Sequence, residues 1–195
     1  MTGKFIVIDG PDGAGKTTLA MALAERIGAM LTREPRYAAT RSLLFAEAAA
    51  SPVELAIAMA HDRFQHLRHE VDPALQQGRT VVCDRYVLST LAYQSEALAG
   101  IVGRDEVVGF LVLGAREPDL TIVVDVDPVT ASARQSSKAR DRFEDDAGLR
   151  SRVRARYLDL AERRGYPVIN GQMGPQEVLD HATALFDNFM AGRRE

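Results

Sequence analysis

Phe5-Ile6-Val7-Ile8-Asp9 runs directly into Gly10-Pro11-Asp12-Gly13-Ala14-Gly15-Lys16-Thr17-Thr18, and no other stretch restricts the fold so tightly. A short apolar run, a glycine-rich turn and an amphipathic run predict strand, loop and helix in that order. The spacing Gly10-x4-Gly15-Lys16-Thr17 fits a phosphate-binding loop, whose backbone N–H groups and helix N-terminus face an anion. Residues 10–18 are thus the expected nucleotide phosphate site, with Lys16 as a positive charge for the β- and γ-phosphates and the Thr17 hydroxyl as a Mg²⁺ ligand. Glycines suit the turn because it visits positive φ and because side chains would hold phosphate off the backbone.

The rest of the chain predicts four more strands alternating with helices. Leu19, Leu23 and Ile27 recur at helical spacing, and Gly28 is a stop signal. A short strand over 29–32 leads to Arg33-Glu34-Pro35-Arg36-Tyr37, and residues 39–49 read as a helix. Ser51-Pro52-Val53-Glu54 has the form of a capping box with proline at the first helical position. It opens a helix expected to run to about residue 77, bent or broken at Pro73. Strands over 80–84, 121–125 and 167–169 follow, with helices over 88–98 and 105–115, after the Asp127-Pro128 cap, and after residue 146. Leu149, Val153, Tyr157 and Leu160 line one side of that long helix; Gly174-Pro175 starts a last one with Val178, Ala182, Leu185 and Phe189 inward.

Apolar strands alternating with helices predict a five-stranded parallel sheet with helices on both faces, in one α/β domain spanning 1–195. Ligands of such sheets lie beyond the carboxyl ends of the strands. That rule gathers residues 9–17, 33–37 and 84–86 at one edge, although they are far apart in sequence. The net charge of −3 gives no general reason to expect nucleic acid or an anionic membrane as partner. No apolar run approaches a membrane span and the first residues lack a secretory leader's pattern, so the expected setting is cytoplasmic. The single cysteine, Cys83, reads as a small buried hydrophobe. The four histidines make no metal site: His66 and His69 share a helix face without a third ligand, and His61, His66, His69 and His181 read as surface or interface residues.

Phosphoryl transfer asks a protein to hold two anionic groups in line and neutralise their charge. With the donor on the loop, Asp84 can orient a Mg²⁺-bound water and Arg85 can bridge an acceptor phosphate bidentately. The pair also admits a reading as a structural ion pair at a strand end. Arg134, Lys138, Arg140 and Arg142 flank or lie in the charged segment 135–146, which reads either as a solvated surface loop or as a lid that excludes water.

Taken together, the motifs resemble the thymidylate kinase family. The likeness runs through 9–18, Thr32-Arg33-Glu34-Pro35, Asp62-Arg63-Phe64-Gln65-His66, Pro73-Ala74-Leu75, Asp84-Arg85-Tyr86, Ser89-x3-Tyr93-Gln94, Pro118-Asp119-Leu120-Thr121, Asp141-Arg142-Phe143-Glu144 and Arg156-Tyr157-Leu158. The order and spacing of these motifs are more specific than any one of them. The resemblance implies transfer of the ATP γ-phosphoryl group to dTMP, with Mg²⁺, in a homodimer packed through helices. Asp12 matches the position that holds the acceptor's 3′-hydroxyl and helps order the metal, and Arg63 and Arg85 match acceptor-phosphate contacts. Tyr93 matches the ring that crowds the 2′ position, and Thr90 and Gln94 match positions near the base. Gly13 in the loop with Arg140 and Arg142 in the lid resembles the bacterial-type arrangement, where the lid supplies the catalytic cation. Asp9 replaces the more usual glutamate near the metal, with a shorter reach.

Two departures bear on the acceptor. Met59 stands where the family usually stacks a phenylalanine on the base, which gives either an altered base pocket or ordinary helix core. Arg36-Tyr37 follows Pro35 in place of a Gly-Gly-Thr-like segment, and Arg36 can reach the acceptor phosphate. The alternatives to a dTMP kinase are a kinase for another or modified deoxynucleoside monophosphate and a catalytically silent nucleotide-binding module. Retention of Lys16, Thr17, Arg85 and the lid arginines argues against the silent one.

Overall fold

In a computed structural model of the chain, which describes residues 3–45, 51–100, 103–135 and 147–192, five strands form one wholly parallel sheet in the order β2-β3-β1-β4-β5. They are β1 (Phe5–Asp9), β2 (Met30–Arg33), β3 (Val81–Asp84), β4 (Leu120–Asp125) and β5 (Val168–Asn170). The helices are α1 (Lys16–Ile27), α2 (Ala38–Phe45), α3 (Pro52–His66), α4 (Asp72–Gln76), α5 (Val87–Ser89), α6 (Ser95–Ala97), α7 (Arg104–Val112), α8 (Pro128–Gln135), α9 (Ala147–Arg164) and α10 (Pro175–Met190). Alternation along β1 divides the core: Ile6 and Ile8 pack with Leu19, Leu23 and Val178 under α1 and α10, whereas Phe5 and Val7 pack with Leu67, Val71 and Leu75. A further cluster on that second side joins Leu55, Leu88, Val123, Val153 and Tyr157. Both faces of the sheet are covered, which is why its strands carry so few polar residues.

The register puts Ile8 opposite Asp84, Arg33 opposite Asp84 and Asp9 opposite Val123, so these carboxyl ends share one edge. The Ser51–Glu54 capping box forms as read, as do the Asp127 cap of α8 and the left-handed Gly28 stop. Two long helices differ from expectation. The bend assigned to Pro73 is a π turn over Leu67–Val71 just ahead of it, with the Asp72 N–H returning to the Leu67 carbonyl. Proline has no N–H for the regular i→i−4 bond and its ring would meet that carbonyl, so the helix widens before it. The stretch read as a helix over 88–98 contains a second π turn, Thr90–Gln94, between the single turns α5 and α6. Helix α7 ends at Val112, short of residue 115, and the last part of the predicted 39–49 helix lies outside the described residues.

Candidate active site

The loop between β1 and α1 is shaped by glycines with no substitute. Gly10 (φ 143°) and Gly13 (φ 78°) have positive φ, and a Cβ would sit 2.2 Å from the Val124 carbonyl oxygen at Gly10 and 2.7 Å from that of Ala131 at Gly13. Helix α1 starts after Gly15 with no side chain capping its amides, which leaves them available to an anion. Lys16 folds back over the loop: its Nζ donates to the Pro11 carbonyl at 2.7 Å and lies 4.0 Å from Asp12 Oδ1.

Asp12 is the centre of the arrangement. The Arg85 guanidinium donates to its Oδ1, and the Tyr93 hydroxyl donates to Oδ2 at 2.5 Å while accepting the Asp12 backbone N–H at 3.0 Å. The Arg85 guanidinium also lies 5.8 Å from the centre of the Tyr93 ring. Burial alone would push the Asp12 carboxyl up, but Arg85 and then Lys16 overcome it and hold the group at about 2. Burial, and then Arg85, push Lys16 down to about 8 against the pull of Asp12, Asp84 and Asp9. Burial and Asp12 raise the Tyr93 phenol well above its ordinary range, so it stays a donor. Arg85 has φ 71°, the left-handed region that a β-carbon disfavours, and its N–H is pinned to the Ile8 carbonyl at 2.9 Å.

Asp9 and Asp84 differ in what they leave open. Asp9 accepts from the backbone N–H groups of Gly10 (2.9 Å), Tyr86 (3.0 Å) and Ser89 (3.1 Å) and from the hydroxyls of Ser89 (2.7 Å) and Tyr157 (2.8 Å). Both oxygens of Asp9, which the sequence places with Thr17 and Asp84 at the metal, are therefore taken by protein donors. Asp84 accepts the Thr17 hydroxyl on Oδ2 at 2.6 Å, while its buried Oδ1 has no hydrogen-bond partner. Beside this pair a cavity of about 340 Å³ runs past Met21 and Leu31 to Arg36 and Glu70.

Arg63 lies in a separate buried cluster. Its Nε donates to Glu34 Oε2 at 2.9 Å and its Nη2 to the Thr90 hydroxyl at 2.7 Å, its guanidinium sits 5.2 Å from the centre of the Tyr86 ring, and its buried Nη1 has no partner. The second π turn carries Thr90, Tyr93 and Gln94, all buried, and joins the Arg63 cluster to the Asp12 cluster. π turns recur at functional sites. Met59 is half-buried against the core cluster that contains Tyr93 and Tyr157. Arg36 is directed at Glu70 (2.8 Å), its backbone held by Asp62. Arg134 donates to the carbonyls of Gly13 (3.4 Å) and Gly171 (2.9 Å), on the loop's other flank. Lys138, Arg140 and Arg142 lie outside the described residues.

Several residues stand in the quoted motifs without a role assigned to them from sequence. Ser89 and Tyr157 tie Asp9 in place, Asp62 accepts the N–H groups of Arg36 (2.6 Å) and Tyr37 (2.9 Å), and Glu34 is 5% exposed. His66, read as a surface or interface residue, is fully buried, whereas His61, His69 and His181 are exposed. The available signal was spacing: Leu55, Met59, Asp62 and His66 follow one another at i+4, i+3 and i+4, a core stripe with polar members.

A family model described as thymidylate kinase matches residues 8–181. The probable thymidylate kinase of Pyrobaculum calidifontis is 37% identical, covering 97% of this chain and 99% of its own length. The thymidylate kinases of Cutibacterium acnes (36%, over 92% and 94%) and Ruegeria pomeroyi (34%, over 94% and 94%) are bacterial relatives. A phosphate loop at the end of β1, a parallel sheet that carries Asp84 and Arg85 to the same edge, and likeness over nearly the whole length agree: the chain belongs to the thymidylate kinase family.

Proposed function

We propose that this chain is a single kinase domain that transfers the γ-phosphoryl group of ATP to dTMP, giving dTDP. One observation carries the reading: Asp12, part of the donor loop, touches Arg85, which follows β3, and Tyr93 from the second π turn and lies 4.0 Å from Lys16. Donor and acceptor groups thus meet through one carboxylate. Residues 10–18 hold the donor phosphates, with Arg134 bracing Gly13. Lys16 and Arg85 neutralise the transferring group from two sides, and Asp12 and Tyr93 fix the acceptor sugar. Arg63, Thr90 and Gln94 line the acceptor end with Met59. Asp9 acts as the post that pins the strand ends. The assignments of Arg36, Arg140 and Arg142 rest on the resemblance alone.

The residues fit Mg²⁺. Asp84 offers a buried oxygen without a partner next to the Thr17 hydroxyl, and oxygen donors suit a hard cation. Mg²⁺ keeps waters and phosphate oxygens as ligands and takes only one or two groups from the protein. When bound, the ion would supply neutralisation of charge on the donor phosphates. Thr17 and Asp84 would hold it, Asp84 through water.

The family's helix-packed homodimer is supported by an apolar exterior on α3 and at the end of α7, where Ile57, Phe64, Phe110 and Leu113 are exposed. No helix among the described residues is long and apolar enough to cross a membrane. A cytoplasmic setting is supported by the lone, buried Cys83 thiol. Met59 favours a second acceptor reading, another or modified deoxynucleoside monophosphate. A coupled assay of ADP release with dTMP, dUMP, dCMP and dGMP separates the two readings. Lys16→Ala and Arg85→Ala are expected to abolish transfer in a folded protein, and near-normal turnover in either would remove the mechanism.

A further inference from the structure

The acceptor role of Arg63 requires its guanidinium to be fixed, and the fixing group is Glu34, whose Oε2 accepts from Arg63 Nε. Glu34 is in turn held by His66, whose Nδ1 is 3.3 Å from Glu34 Oε1 while its Nε2 is 2.7 Å from the Thr32 hydroxyl. We infer that His66 is a positioning residue for the acceptor: it locks Glu34, through which it aims Arg63.

The chemistry of the four groups fixes the direction of the chain. A carboxylate has no proton to give, so Nδ1 must carry the hydrogen that faces Glu34. With that single ring proton on Nδ1, Nε2 is the acceptor and receives the Thr32 hydroxyl. The opposite tautomer would set a ring lone pair against the carboxylate. Thr32 lies on β2, His66 ends α3 and Glu34 follows β2, so the relay joins the edge strand to the helix that carries Arg63. Thr90 closes the far side, accepting from Nη2. Three N–H groups of Arg63 are directed at Glu34, Thr90 and the Tyr86 carbonyl (3.4 Å), which leaves the buried Nη1 for a ligand.

This inference rests on Arg63 serving the acceptor, and the test keeps the two apart. The amide nitrogen of asparagine reproduces Nδ1 of histidine, and that of glutamine reproduces Nε2. The variants His66→Asn, His66→Gln and Thr32→Val are compared with the parent for KM of acceptor and of ATP. Losing a hydrogen bond to a charged group predicts a rise of about tenfold or more in acceptor KM for His66→Gln. His66→Asn, which keeps the donor to Glu34, should stay within about threefold of the parent, because a neutral contact elsewhere is worth less. Thr32→Val, which keeps the ring and Glu34, should behave like His66→Asn. ATP KM should stay within about twofold in all three, a split that general loosening of the fold would not give. Equal acceptor KM in the asparagine and glutamine variants, or matching rises in ATP KM, would overturn the inference while leaving the kinase reading intact. A parent protein that turns over no deoxynucleoside monophosphate would instead overturn the kinase reading.

Discussion

Tyr93→Phe removes a single oxygen from the centre of the site and tests the geometry there. The hydroxyl makes two bonds to one residue, a donation to the Asp12 carboxylate at 2.5 Å and an acceptance of the Asp12 N–H at 3.0 Å. A bond to a charged group contributes roughly 1.5–3 kcal/mol, and an abandoned backbone N–H costs roughly 1–3 kcal/mol unless water reaches it. The site opens to solvent, so water recovers part of the second amount and a net loss of about 2 kcal/mol is expected. The phenyl ring keeps its place beneath Arg85 and its edge contact with Tyr157, 6.1 Å between ring centres, so packing changes little. For a chain of this length, 2 kcal/mol lowers the melting temperature by about 4–8 °C. Asp12 adds a sign. Its carboxyl sits at about 2 against an ordinary 3.8, so it contributes stability above pH 3.8 that is lost as pH falls through 2. The variant gives up the part due to Tyr93, and its acid unfolding should begin at higher pH. Urea titrations at neutral pH and an acid titration measure both effects, and acceptor kcat/KM should fall by about tenfold or more as Asp12 loses its orientation. A variant with unchanged melting temperature and unchanged acceptor kinetics would show that the Asp12–Tyr93 contact organises nothing.

Four further outcomes follow from the same structure. Lys16, at about 8, loses its charge as pH rises through that value, so kcat/KM for ATP should fall above pH 8 while kcat, with phosphates bound, falls later; a kcat/KM flat to pH 9.5 would contradict this. In the unliganded protein the same shift makes folding more favourable from about pH 8 towards 10.5, because the unfolded chain then holds the extra proton. Met59→Phe should lower dTMP KM by up to about tenfold through an added aromatic stack, and an unchanged KM would mean that Met59 is only core. Phe110→Lys, at a side chain 72% exposed, should shift the protein to monomer in light scattering, and an unaltered dimer would place the interface elsewhere.

The parts of this protein that could be read from sequence are those whose geometry is imposed locally. Gly10 and Gly13 can be assigned to a phosphate loop without any partner in view, because their φ angles and the absence of a Cβ are properties of the residues themselves. The single edge shared by Asp9, Asp84 and Arg33 follows from parallel strands and needs no side-chain contact. The two π turns are different. Each changes a helix by one residue, and apolar periodicity over 88–98 does not reveal which turn widens. His66 shows the cost of asking the wrong question of a pattern. Paired with His69 it invites a count of metal ligands, and when the count fails it is assigned to the surface. Its spacing from Leu55, Met59 and Asp62 instead puts it on the buried stripe of α3, where a polar side chain must have a partner. That partner is Glu34, 32 residues away and itself buried, in a segment that sequence places at the ligand edge without showing which helix covers it. Buried polar residues on a core stripe are therefore best taken in pairs: Asp62 and His66 on α3 find their partners in the 32–37 segment, and neither stretch read alone shows the contact.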